Sequence, residues 1–127
     1  MKQSIDWPLR PADPSNFSGA AFMRLVGEAV SSEPVKVYYV RFQPGARTNW
    51  HTHSGDQILL VTVGTCRYQV AGEPALDLRA GESVRIRAGT RHWHGAARRE
   101  SGEHIAINLD VAETKWHESV PEEEYER

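Results

Sequence analysis

The chain has 127 residues, with 15 Lys and Arg against 17 Asp and Glu and a formal net charge of −2. That length suits one domain, and folding at that size hides roughly two thirds of the unfolded chain's surface, enough for one core. The charge balance argues against a nucleic-acid scaffold, which would show a basic excess, and with Cys66 as the one cysteine no intrachain disulfide can form.

Met1 to Pro8 lacks a long apolar run, so neither a secretory signal nor a membrane span is expected. The cytoplasm is the expected compartment, and the single thiol fits a reducing one. Asn16-Phe17-Ser18 matches a glycosylation acceptor but carries little weight where no secretory signal is expected. Residues 7–20, rich in Pro, Ser, Asn, Asp and Gly, read as an irregular arm with room for a short strand. Ala21 to Val30 is ambiguous between strand and helix, and Ser32-Glu33-Pro34 marks a turn. Val35 to Phe42, dense in Val and Tyr, is a strand, broken by Gln43-Pro44-Gly45.

Thr48 to His53 is the next predicted strand, followed by a turn at Ser54-Gly55-Asp56. Gln57 to Val63 reads as a buried strand ended by Gly64. Cys66 to Ala71 reads as a separate one, with Cys66 a buried, inert thiol. Ala75 to Arg79 and Ser83 to Arg87 follow, then Ala88-Gly89-Thr90 turns into Arg91-His92-Trp93-His94-Gly95. Arg98-Arg99 beside Glu100 reads as a solvated turn. In Glu103 to Asp110, His104, Ala106 and Asn108 alternate with Ile105, Ile107 and Leu109. Pro121 to Arg127 fits one helical turn with Pro at its start. Roughly eight to ten short strands at regular spacing indicate an all-β sandwich or barrel. The expected organisation is a single domain: an arm over 1–20, a barrel over 21–112 and a tail over 113–127.

The histidines carry the chemistry. Residues two apart on a strand share a face, so His51-Thr52-His53 and His92-Trp93-His94 each aim two imidazoles into one space. One such pair is as readily a hydrogen-bonded pair in a half-buried position; two pairs in one small barrel argue for a metal. Gln57 follows a three-residue turn and can fold back beside His51 and His53 as a carbonyl-oxygen donor. Since such sites hold three or four protein ligands, one of the second pair ligates and the other lines the pocket. If the even face of Glu103 to Asp110 is interior, His104 enters the pocket with Ala106 and Asn108; otherwise it is a surface histidine. His117 is expected at the surface.

Gly45, His51, His53, Gln57 and Gly64 fall at the spacings of Gly-x5-His-x-His-x3–4-Glu-x6-Gly, and Gly81, Gly89 and His92 at those of Gly-x5-Pro-x-Gly-x2-His-x3-Asn. On these motifs the chain resembles the cupin superfamily, which implies an all-β, double-stranded β-helix (jelly-roll) barrel. Gln57 replaces Glu, Arg87 replaces Pro and Ala96 replaces Asn. The neutral amide leaves a bound metal one unit more positive than a carboxylate would, which favours Lewis-acid work over stabilising high-valent iron.

Gly45 to His53, Gly89 to Ala97, His104 to Ile107 and the Trp116 to Tyr125 segment are similar to small bacterial cupins that include manganese-dependent hydroxynitrile lyases. That resemblance implies one divalent ion, manganese first with iron, zinc or nickel as alternatives, held by His51, His53, Gln57 and His92. It implies His94 and His104 in the active site, one of them taking a hydroxyl proton. Asn108, a pocket residue with Ala106, stands where such relatives carry Gln, so the pocket is expected to differ in shape there. The implied reaction is reversible cleavage of a small cyanohydrin to a carbonyl compound and cyanide. Two other readings stay open: an Fe or Mn dioxygenase or oxidase, against which the neutral Gln57 speaks, and a non-catalytic metal- or small-ligand-binding barrel. A homodimer or homotetramer paired through the N-terminal arm is implied, with neither nucleic acid nor membrane as partner.

Overall fold

The computed structural model describes residues 8–26, 34–109 and 113–126. Among these the backbone forms β1 (Arg10–Pro11), β2 (Phe17–Ser18), β3 (Ala21–Leu25), β4 (Val35–Phe42), β5 (Arg47–Thr48), β6 (His51–His53) and β7 (Gln57–Val70). Then come β8 (Leu76–Arg79), β9 (Ser83–Ile86), β10 (His92–Ala96), β11 (Gly102–Leu109), β12 (Thr114–Trp116) and the short helix α1 (Glu122–Tyr125). They pair antiparallel in one curled sheet of order β1-β3-β4-β11-β7-β10-β5-β2. β6 joins β10 to β12, and β8 and β9 both pair with β7. Of the predicted segments, Ser32, Glu33, the end of Ala21–Val30, Asp110 and Arg127 lie outside the described residues.

β4 has the bounds its Val and Tyr content predicts, and the ambiguous segment after the arm resolves to a strand, Ala21–Leu25. β11 pairs along its whole length with β4, and with the first part of β7. Its alternation runs as expected: Gly102, His104, Ala106 and Asn108 are buried while the residues between them are half-buried. The interior is therefore the even face.

β7 departs from the two predicted strands. Gln57 to Val70 runs as one strand straight through Gly64. Its first part pairs with β11 and β9, its second with β10 and β8. The two parts need opposite parity, because Gln57, Leu59 and Val61 are buried in the first and Cys66 in the second. The switch uses a bulge, with Glu103 opposite Val63 and His104 opposite Val61 so that Thr62 is skipped. Gly64 completes it at φ 66°, where an added Cβ would sit 2.1 Å from the Ser101 carbonyl oxygen. The glycine marks a bend, not an end.

The predicted strand Thr48 to His53 is likewise interrupted. Gly95 faces Arg47 and His92 faces His51, so a step of three on β10 meets a step of four on the other side. The extra residue is taken up at Asn49 and Trp50, whose N–H groups donate to Asn16 and Glu118 carbonyls at 2.8 and 3.0 Å. The interruption leaves His51 and His53 on one face.

Both ends of the chain join the sheet. β2 pairs with β5, and β12 with β6. Trp93, opposite the histidines of its strand, packs with Trp50, Val120 and Tyr125 in a core under the C-terminal segment. β10 is thus buried on both faces. A second core (Ala21, Val40, Phe42, Ala46, Ala96) and a third (Leu59, Ile86, Ala106) fill the barrel on either side of the histidines. Cys66 is buried and its thiol is pushed up to about 12, chiefly by burial, as an inert core thiol should be. Among the described residues no helix is long and apolar enough to cross a membrane.

Candidate metal centre

Strand register brings the expected residues together. His51 lies opposite His92 across the β6–β10 pair, and Gln57 opposite Asn108 across β7–β11. One ring nitrogen from each of His51, His53 and His92 lies within 4.8 Å of the other two, and all three residues are buried. The ring centroids stand 4.3 Å (His51–His92), 4.8 Å (His51–His53) and 5.4 Å (His53–His92) apart.

The outer nitrogens fix the rings. His51 Nδ1 contacts the Asn49 carbonyl oxygen at 2.9 Å, and His92 Nδ1 the Thr90 carbonyl oxygen at 2.9 Å. A carbonyl oxygen can only accept, so both Nδ1 atoms carry the proton and both Nε2 atoms present lone pairs inward. His53 Nδ1 lies 3.0 Å from Thr114 Oγ1 on β12, and its Nε2 is buried without a hydrogen-bond partner.

Gln57 sharpens the point. Its Nε2 donates to Asn108 Oδ1 at 2.8 Å, which turns its Oε1 towards His92 Nε2, 3.1 Å away. Two acceptors then face each other with no hydrogen between them. A cation shared by the two resolves that repulsion, and imidazole nitrogen with amide oxygen is a donor set suited to a divalent first-row metal. The residues present therefore fit such an ion.

Burial keeps these rings neutral, as ligation requires. Burial, with smaller contributions from neighbouring imidazoles, holds His51 well below its ordinary value. Burial first and then His92 bring His53 to about 4, and burial brings His92 to about 4.

His94 and His104 form a second, deeper pair. His104 Nε2 and His94 Nδ1 are 3.1 Å apart, and the Phe42 ring packs near both, its centroid 6.2 Å from that of His94 and 5.3 Å from that of His104. Burial lowers both, His104 to about 4 and His94 well below its ordinary value with help from its imidazole neighbours. The remaining His94 nitrogen, Nε2, is buried without a hydrogen-bond partner.

A cavity of about 260 Å³ opens onto this cluster. His51, His53, Gln57, His94, Ala106 and Asn108 line its base. His104 is fully buried and does not line it, so it communicates with the cavity through His94. His117 is exposed, as expected. Sequence reasoning missed the walls: Phe17, Met23, Tyr38, Val40 and Trp116, with Asp13 and Asn16 from the arm. The Trp116 ring sits 4.7 Å from that of His51. Alternation in β3 and β4 could have suggested Met23, Tyr38 and Val40; nothing local points to Phe17 or Trp116. Among the described residues no Lys or Arg lines the cavity.

A model of the cupin domain matches residues 38–108, which include every histidine of the cluster. The chain belongs to the cupin family. Over 90 residues, 69% of each chain, this cupin is 42% identical to a protein of Granulicella tundricola named (R)-mandelonitrile lyase. A solved structure of a cupin-like protein from Thermotoga maritima matches with a TM-score of 0.89 at 39% identity, over 97% of this chain and 95% of that one. The polyketide cyclase RemF from Streptomyces resistomycificus matches with a TM-score of 0.77 over 99% of this chain and 91% of that one. At 14% identity that likeness is one of fold alone. The all-β jelly-roll barrel read from the two motifs is therefore the cupin barrel, with a three-histidine group able to hold a divalent metal ion.

Proposed function

We propose that this cupin is a manganese-dependent lyase that cleaves small cyanohydrins reversibly to a carbonyl compound and cyanide. The observation that carries the reading is the convergence of unprotonated imidazole nitrogens and the Gln57 oxygen beside the unpartnered His94 Nε2. The resemblance to a protein named as a mandelonitrile lyase supports it.

His51, His53 and His92 through Nε2 and Gln57 through Oε1 would hold the ion, which when bound supplies Lewis acidity towards developing negative charge. The donors are neutral, so the full divalent charge is offered to substrate. His94 supplies the base. When its Nδ1–H donates to His104 Nε2, its own Nε2 holds an open lone pair at the cavity wall. That nitrogen takes the hydroxyl proton of the cyanohydrin. The oxygen's electron pair forms the carbonyl double bond, the carbon–carbon bond to the nitrile breaks, and its electrons leave on cyanide. The His94 proton then passes to cyanide and restores the base. Phe17, Tyr38 and Trp116 offer an apolar and aromatic wall for the substrate's side chain.

The test is cyanide release from mandelonitrile and from an aliphatic cyanohydrin, by protein stripped with chelator and then reloaded with Mn²⁺. Release that needs the reloaded ion is the expected result. Release that survives stripping rejects the metal-dependent mechanism, and none after reloading rejects the reaction.

A further inference from the structure

We propose that Asn108 is a positioning residue that sets which end of the Gln57 amide faces the metal-binding imidazoles; this rests on the metal centre proposed above. An amide has a donating and an accepting end, and rotation by half a turn exchanges them with little change in shape. In a carboxylate the two ends are alike, so nothing is needed to orient it. Gln57 therefore brings a requirement that the family's usual Glu does not have.

The structure shows what meets it. Gln57 and Asn108 are cross-strand neighbours on β7 and β11 with both side chains buried. Asn108 Oδ1 accepts from Gln57 Nε2 at 2.8 Å, which engages the donor end and leaves Oε1 3.1 Å from His92 Nε2. His92 Nε2 carries no proton, because Nδ1 uses its own on the Thr90 carbonyl. Reversing the Gln57 amide would place an N–H on that lone pair. One rotation would then withdraw two ligands together, the amide oxygen and the His92 nitrogen. Asn108 can permit the reversal only by reversing as well and donating through Nδ2. The pair thus has two states, and the one with Asn108 accepting is the one that binds metal.

Three substitutions separate this role from packing. Asn108→Asp keeps an acceptor and removes the donor, so it locks Gln57 in the binding orientation. Asn108→Leu removes the acceptor at similar size. Gln57→Glu removes the need for orientation. Manganese(II) alone is the probe, with free ion read by electron paramagnetic resonance and melting of the metal-free proteins recorded alongside. N108D is expected to bind at least as tightly as the parent, and N108L roughly 10-fold more weakly, the usual loss when a partner of a metal ligand is removed. In the Q57E background N108L is expected to lose less than about 3-fold.

Equal affinity of N108L and the parent overturns the proposal. So does an equal loss in the Q57E background, which assigns Asn108 to packing. If N108L melts far below the parent when metal-free, N108D decides: weaker binding by N108D overturns the proposal and retained binding upholds it. A parent that takes up no manganese overturns the metal centre itself, and with it any role for Asn108 there, a result distinct from the others.

Discussion

His92 and His94 share a strand face but differ in what their second nitrogen meets. His92 gives its Nδ1 proton to a backbone carbonyl and is left with a lone pair beside Gln57. His94 gives or takes a proton with His104 and keeps its Nε2 at the cavity. Removing each should therefore fail differently. His92→Ala and His51→Ala take away ligands, so metal content and cyanohydrin cleavage are expected to disappear together. His94→Ala leaves the three-histidine group whole. It should retain manganese and lose about 10²–10⁴-fold in kcat, the range for a removed general base. Elemental analysis beside cyanide-release kinetics reads both quantities. If H94A binds manganese and turns over at the parental rate, His94 is not the base. A His104→Ala variant that keeps the parental rate would in turn remove His104 from the proton path.

Gly95 lets β5 and β10 approach as closely as the cluster needs, whereas Gly72 serves backbone conformation alone. At Gly95 on β10 an added Cβ would fall 2.2 Å from the Ala46 carbonyl oxygen and 2.6 Å from Arg47 Cα. At Gly72, φ is 85° but no atom lies within 4 Å of the added Cβ. Gly95→Ala must push β5 away from β10 and is expected to cost about 2–4 kcal/mol, whereas Gly72→Ala carries the left-handed backbone cost alone, about 1–2 kcal/mol. Urea melts of the two variants rank them, and a Gly95→Ala midpoint above that of Gly72→Ala would show β5 free to move. α1 acts on β10 from its outer face. Tyr125 is fully buried, donates its hydroxyl to the Ala96 carbonyl oxygen at 2.5 Å, and lies under the Arg47 guanidinium at 4.5 Å. Tyr125→Phe loses one hydrogen bond, about 1 kcal/mol, while Tyr125→Ala opens a cavity worth about 3–5 kcal/mol. Since His92 and His94 ride on β10, Tyr125→Ala should also weaken manganese binding, and unchanged affinity in a destabilised protein would uncouple the helix from the site. These contacts show what the sequence could and could not disclose. The ligand faces of β6 and β10 and the interior face of β11 are legible because a strand's period of two is local, and Gln57 is legible from its distance along the chain. The continuity of β7 was not, because Gly64 is a turn signal in isolation and a parity switch only when β10 and β11 both pair with the same strand. The cavity walls from β2 and β12 were not legible either, since their partners lie about thirty and sixty residues away on β5 and β6.

Five buried imidazoles in one barrel tie stability to pH and to metal. Burial is the largest cause of the lowered value at each of them. His53, His92 and His104 stand at about 4 against 6.5 for the free group. Between those values the unfolded chain binds more protons than the folded one, so folding stability rises with pH across that window. It is full above about 6.5 and drains as pH falls towards about 4, by up to about 1.4 kcal/mol per pH unit for each such histidine. A divalent ion binds the same nitrogens, which in the folded chain stay unprotonated until pH nears about 4, so its affinity for the folded chain is expected to hold across most of that window. Saturating manganese at a hundred times its dissociation constant is expected to add about 2.7 kcal/mol near neutral pH, and nearly as much near pH 5, where the folded ligands are still neutral. Urea midpoints with and without manganese, at about pH 7.5 and about pH 5, supply the four values needed. Metal-free midpoints that match at the two pH values would mean that the imidazoles titrate as they do in water, and the sealed, neutral cluster on which ligation depends would not exist. If the midpoints fall with pH but manganese adds nothing at about pH 7.5, the cluster is sealed for a reason other than holding an ion. Both effects together are what a metal site built from neutral, carbonyl-oriented imidazoles requires.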